Sequence, residues 1–369
     1  MQTNKTGLYI HIPFCTSKCG YCSFFSIIGS DAEKENYINA MLKEIELEHG
    51  VFSGLEIDTI YFGGGTPSCL SNGLISKILD KVANRCKVDK NCEITVEANP
   101  ESCDYEFVNE CKNAGINRIS LGLQSDDDKL LKKIERGHSF RDFQNALNML
   151  LKNGITNISV DLISGLPTQS PGNFQKTLKN ISLLPIKHIS LYGLTIDEGT
   201  SFYAQSIQTN PDVQRDMYDI AVDIFETNGF FRYEVSNFAK DKYKSRHNSK
   251  YWEHSNYLAL GITGNSFFDD ERKKCVSSIK EYLNHDFRYE KNLLTKNDKI
   301  FEYIMLSLRT SKGIDLNHLK INYNHNLIEK KEEIIKRLIS QGLLLKDGNF
   351  LKCSKNAFYV LNSLILELV

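Results

Sequence analysis

A short strand-like element recurs in the middle of the chain, each time at the same point of a repeat. It reads INRIS at residues 116–120, ITNIS at 155–159 and IKHIS at 186–190. The first two copies follow KNAG and LKNG, which are typical of helix ends closed by a glycine in the left-handed conformation. A repeat of helix, glycine and strand predicts parallel strands joined by right-handed crossovers, in an open sheet or in a barrel.

Side-chain alternation within the strands distinguishes these two arrangements. We predict six strands, near residues 7–12, 57–62, 93–98, 118–124, 158–163 and 188–194, with helices between them such as 31–48, 73–86, 104–114 and 140–152. In the fourth strand, RISLGLQ, apolar residues alternate with Ser, Gly and Gln, and the other strands alternate similarly. A doubly wound sheet would be apolar on both faces. The pattern therefore favours a barrel with a lumen of small and polar side chains, unlike an ordinary (β/α)8 core.

The strand and helix alternation stops after about residue 210. Helices are predicted at 215–228, 299–308 and 327–341, followed by a hairpin turn at Asp347–Gly348 and an amphipathic terminal helix. We therefore predict an α/β protein with two domains, a barrel over residues 1–235 and a smaller α+β, winged-helix-like domain over residues 236–369. With 45 basic and 46 acidic side chains the net charge is −1, so nucleic acid is not an expected partner.

The sequence also indicates in which cellular compartment the protein is expected. The N-terminal segment MQTNKTGLYIHIPF lacks the regions of a signal peptide, and no apolar run reaches the about 18 residues that span a bilayer. We therefore expect a cytoplasmic protein. In that reducing compartment its ten cysteines are expected to be thiols or metal ligands rather than disulfides.

Polar residues stand at the carboxyl ends of the predicted strands. Active sites of parallel barrels lie at these ends of their strands. Strand one leads into three cysteines spaced Cys-x3-Cys-x2-Cys, and strand two leads into GGGT at residues 63–66, where absent side chains let a ligand approach backbone N–H groups. The next three strands end at Glu97, Gln124 and Asp161. We expect these five strand ends to line one cavity.

The three cysteines are Cys15, Cys19 and Cys22. Three thiolates on a short loop suit three irons of a [4Fe–4S] cluster and leave the fourth iron open. Zinc held by the three thiolates and His11 is the alternative. The cluster is favoured, because His11 points into the lumen from the strand and because zinc sites more often have paired Cys-x2-Cys motifs.

Several ordered segments together resemble a known family. Cys15-x3-Cys19-x2-Cys22, with Tyr21 before the last cysteine, and the segments YIHIPFC, YFGGGTPS, GLQS, DLISGLP and YEVSNFA resemble the radical S-adenosylmethionine (SAM) proteins of the oxygen-independent coproporphyrinogen III oxidase-like group. The resemblance covers nearly the whole chain. It implies a partial (β/α)6 radical SAM barrel with a [4Fe–4S] cluster whose unique iron binds SAM. Contacts to SAM are implied for Tyr9, Tyr21, Gly64, Gly65, Thr66, Glu97, Gln124, Arg136 and Asp161.

The family resemblance leaves two functions open. One is an oxidase that decarboxylates coproporphyrinogen III with a 5′-deoxyadenosyl radical, and the other is a haem chaperone that passes haem to acceptor haemoproteins. The oxidases carry a fourth cysteine where this chain has Phe24, and a long N-terminal extension where only six residues precede Gly7. The segment SRHNSKYW also resembles the HNxxYW haem motif of the chaperones, with His247, Asn248, Tyr251 and Trp252. We therefore expect the haem chaperone branch, with His247 as an axial haem ligand.

Further expectations follow from the same resemblance. A member without either activity, serving as an interaction protein, is a third alternative, and coproporphyrinogen dehydrogenase activity is not expected. A flavodoxin- or ferredoxin-type electron donor is implied, and a transient membrane-protein acceptor and a homodimer are consistent with the resemblance. Family members usually read Gly-x-Gly-Ala-His-Ser after the haem motif, whereas this chain reads GITGNSF from Gly261. Asn265 stands in the place of that histidine, so no role is assigned to the loop.

Overall fold

Six parallel strands form the centre of the molecule. The computed structural model describes residues 5–369, apart from the side chains of His49 and Asn356. The strands are β1 Lys5–Ile12, β2 Glu56–Gly64, β3 Lys87–Ala98, β4 Arg118–Gln124, β5 Ile158–Ser164 and β6 His188–Gly193. They pair in chain order, from β1 beside β2 to β5 beside β6. The prediction of six strands in one parallel sheet is confirmed.

Helices lead from each strand to the next. They are α1 Asp31–Leu47, α2 His49–Phe52, α3 Leu74–Ala83, α4 Tyr105–Asn113, α5 Asp128–Lys133, α6 Phe140–Lys152 and α7 Pro171–Ser182, with 3-10 turns at Pro67–Cys69 and Pro100–Ser102. Helix α6 spans the range that the sequence predicts, because Ser139 and Asp142 form a capping box at its start. Its buried residues, including Phe143, Leu147 and Leu150, recur at helical spacing and face the core.

The sheet is an open barrel that further strands extend at both edges. The chain continues through α8 Ser201–Ala204, α9 Pro211–Thr227, β7 Phe231–Arg232, β8 Asn237–Ala239, α10 Arg246–Trp252, β9 Tyr257–Leu260, β10 Asn265–Phe268, β11 Glu271–Cys275, α11 Ile279–Leu283 and β12 Tyr289–Leu293. Strand β8 lies antiparallel beside β6, and β9 lies parallel beside β1. Twelve strands thus form one sheet, whose parallel centre is the predicted partial barrel.

The two faces of the central strands differ as their alternation predicts. On β1, Leu8, Ile10 and Ile12 are fully buried in the main hydrophobic core between the sheet and the helices. Tyr9 and His11 point to the other face, the lumen, where the Tyr9 ring stacks on Tyr61 of the next strand. The lumen is therefore lined by polar and aromatic side chains, and it can hold a polar ligand.

A second hydrophobic core lies in the C-terminal part of the chain, between Ile300 and Leu368. Its elements are α12 Lys296–Ser307, β13 Ile314–Asp315, α13 Leu316–Tyr323, α14 Leu327–Lys330, α15 Glu332–Ser340, β14 Leu344–Asp347, β15 Phe350–Cys353 and α16 Leu361–Leu368, with a 3-10 turn at Lys355–Val360. The hairpin β14–β15 and the helices form the predicted smaller α+β unit. The large sheet runs to Leu293, across the predicted boundary between residues 235 and 236.

Candidate functional site

The cysteine loop leaves β1 and is closed at its base by backbone contacts. Phe14 bridges to Ile27, and the Cys15 amide donates to the Ile27 carbonyl at 3.0 Å, so residues 15–26 form a closed loop. Inside it, the Cys22 amide donates to the Cys19 carbonyl at 3.2 Å. The three cysteine side chains line the same cavity at the carboxyl ends of the strands. Burial raises the pKa of the Cys22 thiol above its ordinary value.

Glycines at the end of β2 bring a second loop against the first. The Gly65 amide donates to the Ile12 carbonyl at 2.8 Å, and a Cβ on Gly65 would lie 2.5 Å from the Phe14 carbonyl oxygen and 3.0 Å from Cys15 Sγ. Gly64 has φ +116°, which favours glycine, and a Cβ there would meet the His11 ring at 2.6 Å. The glycine cradle, residues 63–66, therefore packs too closely against β1 and the cysteine loop to carry larger side chains. The amides of Gly64, Gly65 and Thr66 are bonded within the protein, so the expected free N–H groups for a ligand are not found there.

Two carboxylates stand on the inner face of the barrel below this cradle. Glu97 accepts from the Tyr61 hydroxyl at 2.8 Å and from the Gly64 amide at 3.2 Å, and burial raises its pKa to about 7. Asp161 accepts from the Ser120 hydroxyl at 3.1 Å, and burial raises its pKa as well. Burying carboxylates is costly unless a partner compensates. Their arrangement suits a cationic or hydroxyl-bearing ligand.

A polar chain links two of the cysteines across the cavity wall. The Thr66 hydroxyl donates to Cys15 Sγ at 3.5 Å and accepts from Asn99 Nδ2 at 3.1 Å. Asn99 Oδ1 accepts from Arg136 Nη2 at 2.7 Å, and Arg136 Nη1 lies 3.6 Å from Cys19 Sγ. Arg136 Nε is buried and has no partner among residues 5–369, so the guanidinium keeps a donor for an anionic group.

The cavity has a volume of about 540 Å³, which is ordinary for a site of a small ligand. Of the predicted SAM contacts it is lined by Tyr21, Gly64, Gly65, Thr66, Glu97, Gln124, Arg136 and Asp161. Gln124 ends β4 with φ +70°, a strained conformation for a residue other than glycine. Tyr9 does not line the cavity: its ring stacks on Tyr61 deeper in the barrel, and its hydroxyl lies 3.2 Å from His11 Nδ1.

The residues present fit a cluster and a bound amino acid derivative. The glycine cradle, the buried carboxylates and the free donor of Arg136 are complementary to a ligand with ammonium, hydroxyl and carboxylate groups. Across residues 5–369 no three His, Cys, Asp or Glu side chains are close enough together to hold one metal ion. A cluster does not require this, because each thiolate binds a different iron. His11, the ligand of the zinc alternative, lies beneath Gly64 and outside the cavity lining.

The HNxxYW segment lies at the opposite end of the barrel. It forms α10, whose first turn is capped by Ser245. The His247 ring is level with Thr59 on β2 and stacks beneath the ring of Tyr61, with centroids 5.2 Å apart. The predicted haem residues therefore lie outside the cavity that the cysteine loop lines, although His247 is linked to Glu97 through Tyr61.

His247 is fully buried and bonded on both sides of its ring. Nδ1 lies 2.9 Å from the Thr59 hydroxyl, and Nε2 lies 2.9 Å from the Tyr251 hydroxyl. Burial lowers the pKa of the imidazole to about 3, with Lys250 and Arg118 acting in the same direction. Asn248, Tyr251 and Trp252 of the same motif are partly buried. The ring is neutral and has no free nitrogen in this arrangement.

Two residues of the site, Asn99 and Tyr61, are not among those predicted from the sequence. Asn99, which joins Thr66 to Arg136, lies in the same EANPE segment as Glu97, but only the fold shows that it connects two loops. Tyr61 supports Glu97 from the neighbouring strand, which the alternation of β2 could have indicated. Asn265, the departure from the family pattern, is exposed at the start of β10 and donates to the Thr263 carbonyl at 3.0 Å.

Comparison with known families places the chain among proteins with this architecture. The model of the radical SAM superfamily matches residues 9–181, and that of the HemN C-terminal domain matches residues 294–360. The second match begins directly after β12, where the large sheet ends. Within residues 5–369 no helix has the length and apolar character needed to cross a membrane.

Full-length relatives are similar along the whole chain. The heme chaperone HemW of Buchnera aphidicola subsp. Acyrthosiphon pisum is 36% identical over 368 residues, which is 97% of both chains. The heme chaperone HemW of Lactococcus lactis is 31% identical over 374 residues, covering 98% of this chain and 97% of the relative. The fold is also similar to the structure of the coproporphyrinogen III oxidase HemN from Escherichia coli, a radical SAM enzyme. The superposition has a TM-score of 0.86 and covers 99% of this chain and 90% of the HemN chain. At 21% identity that likeness concerns the fold.

Proposed function

The chain belongs to the HemW family of radical SAM proteins, and from this we propose that it is a haem chaperone that carries a [4Fe–4S] cluster and SAM and transfers haem to acceptor haemoproteins. The observation that carries the proposal is the similarity to haem chaperones over 97% of both chains. The site supports it, since the cysteine loop and the glycine cradle line one cavity. A cytoplasmic location is part of the proposal.

Specific residues would hold the cofactors. Cys15, Cys19 and Cys22 would bind three irons, and a bound cluster would supply an electron-transfer centre with one open iron site. The remaining cavity residues would bind SAM: the glycine backbone and Glu97 on the ammonium side and Arg136 on the carboxylate side. Asp161 would accept from ribose hydroxyls, because its carboxylate points into the lumen beside Ser120.

The haem segment is proposed from the motif of His247, Asn248, Tyr251 and Trp252. In the structure both ring nitrogens of His247 are engaged by Thr59 and Tyr251, so the residue does not fit an iron ligand in this arrangement. A flavodoxin- or ferredoxin-type electron donor, a transient membrane-protein acceptor and a homodimer remain proposals that rest on the family alone.

A haem titration tests the proposed function. Protein reconstituted anaerobically with iron and sulfide is titrated with haem, and the Soret absorbance is followed. We expect saturable binding near one haem per chain, followed by transfer when the haem-loaded protein is mixed with an apo-haemoprotein. Absence of a Soret change would contradict the chaperone. Decarboxylation of coproporphyrinogen III by the same preparation would support the oxidase instead.

A matched variant tests the motif separately. His247→Ala is compared in the titration with His254→Ala, a second histidine whose side chain is 5% exposed and which bonds to Glu302 at 2.8 Å. If His247 ligates haem after a rearrangement of α10, only His247→Ala should alter the Soret spectrum. Identical spectra of both variants and the unsubstituted protein would place the ligand elsewhere without affecting the cluster assignment.

A further inference from the structure

Helix α10 closes the end of the barrel that faces away from the cysteine loop. The His247 amide donates to Glu93 Oε1 at 3.0 Å, and Lys250 pairs with Asp58 at 2.8 Å. Gly7 permits this close approach, because a Cβ there would lie 2.8 Å from the Lys250 side chain and 3.3 Å from the His247 ring. These contacts with β1, β2 and β3 fix α10 as a plug at the base of the lumen.

The neutral imidazole at the centre of this plug has no capacity for a further bond. An iron ligand must offer a ring nitrogen with a free lone pair. Both nitrogens of His247 lie 2.9 Å from hydroxyl groups, one on β2 and one on α10 itself. The disagreement between the haem motif and this geometry raises the question of what His247 does in the closed barrel.

A short path of contacts leads from His247 to the SAM cavity. Its ring stacks on Tyr61, with centroids 5.2 Å apart and planes inclined by 27°. The Tyr61 hydroxyl donates to Glu97 Oε1 at 2.8 Å, and Glu97 Oε2 accepts from the amide of Gly64 at 3.2 Å. Tyr61 is 9% exposed and packs against Tyr9 on its other neighbouring strand. Tyr9 and His247 thus flank the ring whose hydroxyl is bonded to Glu97.

We infer that His247 is a positioning residue of the SAM cavity: it fixes Tyr61, whose hydroxyl holds the Glu97 carboxylate. The inference rests on the proposed function, because Glu97 is a SAM contact only within that proposal. It has a consequence for haem. Any state in which His247 ligates haem withdraws this support from Tyr61, so haem bound through His247 and SAM must oppose each other, with equal effect in both directions.

Affinity for SAM in haem-free, cluster-loaded protein tests the inference. Equilibrium dialysis with radiolabelled SAM is performed on His247→Ala, Tyr61→Phe and the double variant. We expect each single variant to raise the Kd for SAM by about 5-fold or more. The double variant should be no weaker than the weaker single variant, because residues that act through one another are not additive.

Two features keep the test decisive. Tyr61→Phe keeps the stacked ring and removes only the hydroxyl, so it remains informative if His247→Ala folds poorly. His254→Ala is the control, since it also removes a buried histidine but one that bonds to Glu302 outside the barrel. It should leave the Kd for SAM unchanged. Wild-type SAM affinity in both single variants at full iron content, or fully additive losses, would overturn the inference.

Haem provides a separate arm. The Kd for SAM is measured with and without saturating haem, and a rise of about 5-fold with haem is expected if His247 is the ligand. Haem binding that depends on His247 but leaves SAM affinity unchanged would overturn the opposition. Failure of the protein to bind haem at all would instead remove the proposed function, while the comparison of variants would still decide the role of His247.

Discussion

Glu97 is the residue whose protonation should control SAM affinity. Burial raises its pKa to about 7, with Asp161 acting in the same direction, while bonds from Tyr61 and Gly64 and the charge of Arg118 oppose the rise. Below this pH the carboxyl is mostly neutral and loses its attraction for an ammonium group. We therefore expect the Kd for SAM to rise by up to about tenfold as the pH falls from 8 to 6.

The dependence on pH can be assigned to Glu97 by substitution. Glu97→Gln removes the titrating group and keeps an acceptor for the Tyr61 hydroxyl. Its affinity for SAM should be weaker at pH 8 and change less between pH 8 and pH 6. Equilibrium dialysis across this range measures both proteins. An equally steep profile in Glu97→Gln would transfer the titration to another group, of which Asp161 is the candidate, because burial raises its pKa as well.

The three loop cysteines give a second prediction at the scale of single residues. Alanine at Cys15, Cys19 or Cys22 should prevent stable incorporation of the cluster, since in the proposed site each thiolate would bind a separate iron. Iron and sulfide analysis after anaerobic reconstitution measures the loss. Cys111→Ala is the control, because Cys111 is buried in the main core away from the cavity. A normal cluster in the triple alanine variant would contradict the assignment of the loop.

Single elements of the site depend on how closely two loops can approach. At Gly65 a Cβ would lie 2.5 Å from the Phe14 carbonyl oxygen, a backbone atom that can move only with the cysteine loop. Gly65→Ala should therefore displace the loop and reduce iron content, at a cost of about 1–3 kcal/mol in stability. Gly172→Ala is the control, because nothing lies within 4 Å of a Cβ at that helix position. Iron analysis and circular dichroism separate loss of cluster from loss of fold.

The elements that could be predicted from the sequence are those specified by neighbouring residues. Helix α6 follows from its capping box and helical spacing, and β4 follows from the alternation of RISLGLQ. Strands β11 and β12 are not among the predicted strands, because ERKKC and YEKNL lack that alternation and are mostly exposed or half-buried. Their addition to the sheet depends on β9, which pairs with β1 about 250 residues away in sequence.

Two features of the structure could not be predicted from the local sequence. The predicted helix at 327–341 is divided, since Lys331 has φ −127° between α14 and α15. In the site, the carboxyl-end residues could be predicted because parallel strands bring their ends together. The burial of His247 could not be predicted, because the HNxxYW motif alone does not show at which end of the barrel this segment packs.

The main core of the large sheet and the core of the C-terminal unit are joined by contacts on two sides of the barrel. Residues of the main core end before Leu294, and the second core begins at Ile300. Between them, Glu302 on α12 accepts from Arg272 Nε at 3.0 Å and lies 2.8 Å from His254 Nε2. On the other side, the Arg232 guanidinium lies 3.7 Å above the ring of Phe358. The C-terminal unit is therefore attached to both flanks of the barrel.

Removal of the Glu302 side chain should weaken the attachment of the C-terminal unit without changing iron content or the affinity for SAM. Burial alone would raise the pKa of Glu302, but hydrogen bonds from His254 and Arg272 outweigh this effect and lower the pKa to about 2. The contribution of Glu302 to the free energy of unfolding is fully present above the ordinary pKa of a glutamate. It is lost only as the pH falls through about 2. At neutral pH Glu302→Ala should therefore lower the free energy of unfolding by about 1.5–3 kcal/mol, the range for hydrogen bonds to a charged group.

Hydrogen exchange followed by mass spectrometry locates the effect. In Glu302→Ala, amides of residues 296–369 should exchange faster, while iron content and the Kd for SAM stay as in the unsubstituted protein. Glu332→Ala removes an exposed pair with Lys336 in the same unit and should change stability by less than about 1 kcal/mol. Faster exchange in β1 to β6 as well would mean that the two cores unfold as one, because the contact then stabilises the barrel as much as the unit it joins.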